Sequence, residues 1–323
     1  MSYAKFLPVV LIITALSGCG SLLPSSLQGA ATNLSADASA ALEPAPLAAD
    51  PDCEVTIEAL AEFSPSAHGN LWDRVRAGYQ LAPTDNPRID TQLAWYSRNP
   101  SYMKRISERA ERYLFHIVEQ IDARGMPQEL ALLPIVESAF DPFAYSHGSA
   151  SGMWQFIAAT GKNFGLKQNW WYDGRRDIEA STDAALRYLT YLHKRFDNDW
   201  LLALAAYNTG EGNLSRAIKR NRRAGKPTDF WALKLPRETR MYVPRLLALS
   251  KLVNAPESYQ LSLKEIPDAP YFGRVEIKSQ IDLAQAAEMA ELSIDDLYLL
   301  NAGFNRWATD PTGPYPLLLP VDK

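Results

Sequence analysis

The chain has 323 residues, 47% of them hydrophobic, and 33 Lys and Arg against 37 Asp and Glu give a formal net charge of −4. That length can bury one substantial core and still build a small second unit. The near balance of charge argues against a nucleic-acid partner, which calls for a strongly basic face.

Lys5 and the apolar run from residue 6 to residue 16 predict a signal peptide over 1–18, because the run is too short to span a bilayer comfortably. Leu16-Ser17-Gly18-Cys19 resembles a bacterial lipobox. The resemblance implies cleavage before Cys19, acylation of its thiol and, with Gly20 next in place of Asp, an outer-membrane lipoprotein facing the periplasm. Loss of Lys5 with the peptide takes the formal charge from −4 to −5. Residues 19–52, rich in Ala, Ser, Pro and Leu, predict a lipidated flexible tether. The only other cysteine, Cys53, then has no intrachain partner, so no disulfide framework and no cysteine-rich metal site is expected.

Residues 53–120 predict an N-terminal helical region. Met103, Ile106, Ala110, Tyr113, Ile117 and Ile121 fall at helical spacing over 102–122, and Gly125 and Pro127 end that helix. A second helix is expected from Pro127 through Leu133 toward Glu137. A third should be capped by Ser181-Thr182-Asp183, with Leu186, Leu189, Leu192 and Phe196 on one face. Residues 199–207 predict a short apolar helix, Asn213 a cap for the next one, and Met241 to Val253 a last helix kinked or started at Pro244. Strand-like alternation is scarce between 95 and 255, so this part is all-α. Pro267-Asp268-Ala269-Pro270 marks a boundary. Beyond it a strand at 274–277, helices at 281–290 and 293–300 and a strand at 315–321 predict a small α+β unit.

One carboxylate stands out. Glu137 ends the apolar run Leu133-Pro134-Ile135-Val136, ahead of a Gly- and Ser-rich turn that contains Gly148 and Gly152. Burial there disfavours the charged form and raises the pKa, which suits a general acid acting on a glycosidic oxygen. A buried Glu satisfied by hydrogen bonds at a helix end is the alternative. Ser138 can fix the carboxyl group or cap the helix. Gly148 and Gly152 allow a tight turn near a sugar. Gln155 can offer a donor and an acceptor to sugar hydroxyl or acetamido groups, or hold the turn. Tyr207 and Asn208 end an apolar helix and can present polar tips to a cleft, though Tyr207 can equally be core. Trp154, Trp170, Trp171 and Tyr172 offer aromatic surface for sugar faces. Asp141, ahead of Pro142, reads first as a turn residue. The four histidines show no metal-ligand spacing; His116 and His193 are expected at the surface, and His147 can touch substrate. No phosphate loop, dinucleotide fingerprint or metal motif occurs, so no cofactor and no metal are expected.

Glu137-Ser138, the segment Gly148 to Gln155, Ala203-Leu204-Ala205-Ala206-Tyr207-Asn208-Thr209-Gly210 and Tyr242-Val243 together resemble, in order, the motifs of soluble-transglycosylase-type lytic transglycosylases. The resemblance implies a mainly α, lysozyme-like (goose-type) catalytic domain over 121–262, acting on peptidoglycan strands. Glu137 is then the single catalytic residue, and Ser138, Ser146, Gly152, Met153, Gln155, Tyr207, Asn208 and Tyr242 bind substrate. It further implies cleavage of the MurNAc–GlcNAc bond with formation of 1,6-anhydroMurNAc and no consumption of water. Ordinary glycosidases use two carboxylates; a recruited second one such as Asp141 would make this a hydrolytic muramidase. A non-catalytic peptidoglycan-binding lipoprotein is the other alternative. Residues 268–323 resemble a LysM-like module with a divergent opening, Ser279-Gln280-Ile281-Asp282 in place of Gly-Asp-Thr, which leaves glycan binding and docking on the catalytic domain both open.

Overall fold

The computed structural model describes residues 56–57, 69–313 and 316–323. The expected signal peptide, the tether, Cys19, Cys53 and His68 lie outside the described residues. Helix α1 (Leu71–Ala77) starts at Asn70, whose side chain accepts the Trp72 N–H, and α2 (Pro87–Ser97) starts at Asn86 with a proline in its first position. Two helices, α3 (Pro100–Ala110) and α4 (Leu114–Asp122), replace the single one expected over 102–122. All six apolar positions of that stretch are buried, so the periodicity holds while the axis breaks. No Gly or Pro marks the break. At the break stands Tyr113, whose hydroxyl donates to the Leu299 carbonyl at 3.0 Å.

The next segment is a 3-10 turn over Gln128–Leu132 followed by α5 (Leu133–Ser138). Pro134 has no N–H to extend an α ladder from Leu130, so Leu133 closes the tighter bond to Leu130 instead. Strands β2 (Ala150–Ser151) and β3 (Phe156–Ile157) form a small antiparallel ribbon, and α6 (Ala158–Asn163) follows. Helix α7 (Ile178–Arg195) starts earlier than expected. Asp177 caps it by accepting the Ala180 N–H, and Ser181 and Thr182 lie inside, buried. Helix α8 (Trp200–Thr209) is apolar all round. As such a sequence requires, Leu202 to Ala206 are buried, packed among α7, α9 (Glu211–Arg223) and α10 (Arg237–Asn254). Asn213 does not cap α9; Gly210 precedes the helix and Asn213 donates back to Thr209 from within it. Helix α10 continues through Pro244, which lies inside it, and starts before Met241; eleven of its residues are buried.

The C-terminal unit contains β4 (Phe272–Glu276), α11 (Leu283–Met289), α12 (Ile294–Leu300) and β5 (Leu317–Pro320), with Arg274 opposite Leu318 in an antiparallel pair. A third strand, β1 (Thr56–Ile57), adds to the free edge of β4 from far upstream. The helical part and this unit are locked together. Tyr172 inserts into the unit's own apolar cluster beside Phe304, and Asn305 donates its N–H to the Trp171 carbonyl at 2.7 Å. Asp310 accepts from Asn169 and faces Lys167 at 3.3 Å. The expected boundary at 267–270 is pinned too. Buried Asp268 pairs with Arg74 at 3.1 Å, and Arg74 also holds Glu119 and Asp122. The unit is therefore packed on the helical domain. The observed class, mainly α with a small C-terminal α+β unit, agrees with expectation.

Candidate active site

Glu137 stands in the last turn of α5, and the chain leaves that helix sharply. Ala139 and Phe140 both adopt left-handed backbone (φ 54° and 55°), while the Phe140 ring is fully buried. Two successive non-glycine residues in this region cost roughly 1–2 kcal/mol each, which the burial of Phe140 offsets. The turn leaves the Glu137 carboxyl half-buried in a cleft of about 620 Å³, whose walls include Ser146, His147, Gln155, Tyr207, Asn208, Glu238, Tyr242 and Arg245.

Burial pushes the Glu137 carboxyl up to about 7, and the charge of Glu238 adds to the rise. A hydrogen bond from the Tyr242 hydroxyl and the charge of Arg245 pull the other way. Desolvation wins. Tyr242 itself is buried beside this carboxyl, which holds its hydroxyl well above the ordinary tyrosine range, so it stays a donor. The same holds for Tyr207, whose hydroxyl donates to the Trp154 carbonyl at 2.9 Å. That bond ties α8 to the β2–β3 ribbon on the opposite wall.

Ser146, Gln155, Tyr207, Asn208 and Tyr242 are brought together around Glu137, and Ser138, Gly152 and Met153 are not on the cleft wall. The Ser138 hydroxyl is shared between the Met153 carbonyl at 3.0 Å and the Pro134 carbonyl at 3.2 Å, and it accepts the Asp141 N–H. It fastens α5 to the ribbon and does not bond the Glu137 carboxyl as expected. Met153 is buried in the core. Gly152, at φ 81°, lies against the Arg175 backbone; a Cβ there would meet the Arg175 carbonyl oxygen at 1.9 Å. Its glycine answers to this close approach and not to a sugar. Gln155 lines the cleft, yet its amide donates to the Gly152 and Ala144 carbonyls at 2.8 and 3.2 Å, which fixes the turn.

Other expectations need correction. Trp154 is 0% exposed, its indole N–H bonded to Thr182, so it offers no surface to a sugar. Trp170, Trp171 and Tyr172 lie toward the C-terminal unit, away from the cleft wall; Tyr172 is buried, and Trp170 is 67% exposed under the Arg306 guanidinium. His116 is not a surface group. Burial pushes its imidazole down to about 4. Asp141 accepts the Phe143 N–H, a turn role, and does not line the cleft.

Sequence reasoning missed three contributors. Glu238 is a second carboxylate on the cleft wall and accepts the Asn208 amide at 3.3 Å. Arg245 is a cation on the same wall. Both sit on α10 with Tyr242, and the spacing 238, 242, 245 puts them on one helix face, a pattern that was available to find them. Arg175 is the third. Buried and paired with Asp173, it donates to the Ser149 carbonyl at 2.9 Å and braces the ribbon from behind. Nothing local in the sequence announces that role.

A half-buried carboxylic acid, its tyrosine donor and a groove carrying amide and hydroxyl groups make a site able to give a proton to a bound ligand. Residues 117–230 match the Transglycosylase SLT domain family, and residues 271–323 match the family described as Lytic transglycosylase MltD, LysM-like domain. The chain is 45% identical over 252 residues to membrane-bound lytic murein transglycosylase D of Escherichia coli (strain K12), covering 78% of this chain and 56% of that protein. A curated protein of Alteromonas sp. (strain M-1), named for tributyltin chloride resistance, is 48% identical over 140 residues, 43% of this chain and 63% of that one. The solved 70 kDa soluble lytic transglycosylase of Escherichia coli is 22% identical with a TM-score of 0.37, covering 51% of this chain and 30% of that chain. This chain thus spans a little over half the length of the transglycosylase D it matches. The α10 wall, with Glu238, Tyr242 and Arg245, lies beyond the SLT match.

Proposed function

We propose that this protein is a peptidoglycan lytic transglycosylase that cleaves the MurNAc–GlcNAc β-1,4 bond in cell-wall turnover. The observation that carries the reading is the Glu137 carboxyl, raised to about 7 inside a polar groove. In its protonated form Glu137 gives its proton to the glycosidic oxygen as the C1–O bond breaks. The substrate's acetamido group stabilises the oxocarbenium-like centre, and Ser146 and Asn208 on the cleft wall orient that sugar, with the Gln155 amide oxygen as an acceptor because its N–H groups hold the turn. The Glu137 carboxylate, steadied by Tyr242, then takes the proton of the C6 hydroxyl as it bonds to C1. The product is 1,6-anhydroMurNAc, Glu137 is protonated again, and no water enters. Neither step calls for a cofactor or a metal.

One observation favours hydrolysis as a second reading: Glu238 shares the cleft with Glu137 and could direct water to C1, a part that Asp141 is not placed to play. The mass of the products separates the two.

The first step needs the protonated acid, so its sign with pH is fixed. Strand cleavage, measured as kcat/KM on isolated sacculi, is expected to hold below pH 7 and to fall about tenfold per unit above it. A profile that keeps rising to pH 9 sinks Glu137 as the acid. Tyr242→Phe removes the donor that favours the charged carboxylate. It is expected to cut the rate about tenfold and to move the alkaline fall upward by up to about one pH unit. A variant with an unchanged profile leaves Tyr242 no role at the carboxyl.

Placement in the cell belongs to the same proposal. The relative's name describes a membrane-bound enzyme, and no helix among the described residues is long and apolar enough to cross a membrane. We take Cys19 as the acylated anchor of an outer-membrane lipoprotein, with 1–18 as signal peptide, 19–52 as tether, 53–120 as N-terminal helical region, 121–262 as catalytic domain and 268–323 as the LysM-like module. Radiolabelled palmitate should enter the wild type and not Cys19→Ala.

A further inference from the structure

Positive charge is concentrated on one part of this acidic chain. Between residues 216 and 240 stand nine Lys or Arg and only Asp229 and Glu238 as acids, within a protein whose formal net charge is −4. Most of these cations ride on α9. Arg216, Lys219, Arg220 and Arg223 fall at successive third and fourth positions, which lines them up along one face of the helix, and together with Ala224 they bound a shallow concavity. Arg222 and Lys226 flank the stripe. All six are exposed, and among the described residues none forms an ion pair with a carboxylate. Arg216 reaches the Asn213 amide oxygen and Arg220 the Lys234 carbonyl at 2.8 Å, neutral partners that leave the charge uncompensated. Like charges this close repel, so the stripe costs some helix stability and calls for an anionic partner to offset it.

Position says which partner. Gly210 lines the catalytic cleft and is also the residue that opens α9, so the stripe lies on a helix that starts at the cleft wall, its first cation, Arg216, about 9 Å along the axis. The 13-residue helix is about 20 Å long. We propose that this face binds the carboxylates of the peptide stems borne by the glycan strand seated in the cleft. The proposal rests on the peptidoglycan reading above. Stems project from a strand at regular intervals and carry several free carboxylates, which matches a row of guanidinium and ammonium groups better than one discrete pocket would. A phospholipid surface is the competing anion, and seating it there would press the cleft mouth against the membrane.

The test measures binding apart from cleavage. The full chain carrying Glu137→Gln, alone and combined with Arg216→Ala, Arg220→Ala and Arg223→Ala, is co-sedimented with intact sacculi, with sacculi stripped of peptides by an amidase, and with phosphatidylglycerol vesicles. The triple change is expected to weaken binding to intact sacculi about tenfold at low salt and to remove most of its salt dependence, while stripped sacculi bind both forms alike. Equal binding of both forms to intact sacculi overturns the proposal, as does an equal loss on stripped strands, which would make the contact one to sugar. A loss confined to the vesicles assigns the face to lipid instead. Unchanged circular dichroism melts show that these exposed changes leave the fold intact. Wild-type protein that binds sacculi in this pattern without cutting them would refute the enzymatic reading and leave the stem-binding face standing.

Discussion

Glu137→Gln is expected to remove strand cleavage, with a loss of at least about 10³-fold in release of soluble muropeptides, since the amide has no proton to give and no charge to take one back. The glutamine keeps the oxygen that accepts the Tyr242 hydroxyl, so geometry is retained. Stability moves the other way. The native pKa of about 7 exceeds the unfolded value near 4.5. The contribution of this one group to wild-type stability is therefore fullest below pH 4.5, declines as pH rises from there to 7, and stays reduced above it. The variant escapes that decline and should be more stable above pH 7 by up to about 3 kcal/mol, an upper figure because the carboxyl is partly open to solvent. Equal melting temperatures for the two at pH 8 would mean that the carboxyl is well solvated. Dead activity with raised stability is the signature of an acid that the fold holds at a cost.

Gly152→Ala has the largest expected effect on the fold. The new methyl would sit 1.9 Å from the Arg175 carbonyl oxygen and 2.8 Å from its carbon, both backbone atoms, at a φ of 81°. Neither the strain nor the clash is relieved by turning a side chain. A loss of about 3–5 kcal/mol follows, or about 10 °C in Tm. Gly165→Ala is the control. Its φ is 85°, but the nearest neighbour is the tip of the flexible Arg187 at 4.0 Å, so it should lose only about 1 kcal/mol. Similar calorimetric losses for both would show that backbone conformation alone matters, and that the ribbon can move off Arg175. Since Gly152 is behind the cleft, any drop in activity should track the unfolded fraction.

These two residues mark what could be read from the amino-acid sequence. Glu137 was legible because its chemistry is local: one carboxylate closes an apolar run, and burial decides its pKa. Helix α8 was legible for the same reason, an unbroken apolar stretch with an aspartate at its start. Gly152 was visible as a turn glycine, but its reason lies in the Arg175 backbone, 23 residues on, so it was assigned to substrate. Tyr242 reaches Glu137 across 105 residues. Only the resemblance placed it in the groove, and its bond to the acid itself was not foreseen. Asp141 drew attention as a second carboxylate by closeness in sequence, while Glu238, a hundred residues away, is the one that shares the cleft. Helix ends were misplaced where several caps competed. Asp177 wins over Ser181 and Thr182 because those two are needed in the core, where Thr182 accepts the Trp154 indole.

The most direct test of the central claim is mass spectrometry of the soluble products released from isolated peptidoglycan by the lipid-free protein. Muropeptides one water lighter than those of a hydrolytic muramidase, absent with Glu137→Gln, are the predicted result. Reducing-end products at the hydrolytic mass would contradict it and transfer the water-directing role to Glu238.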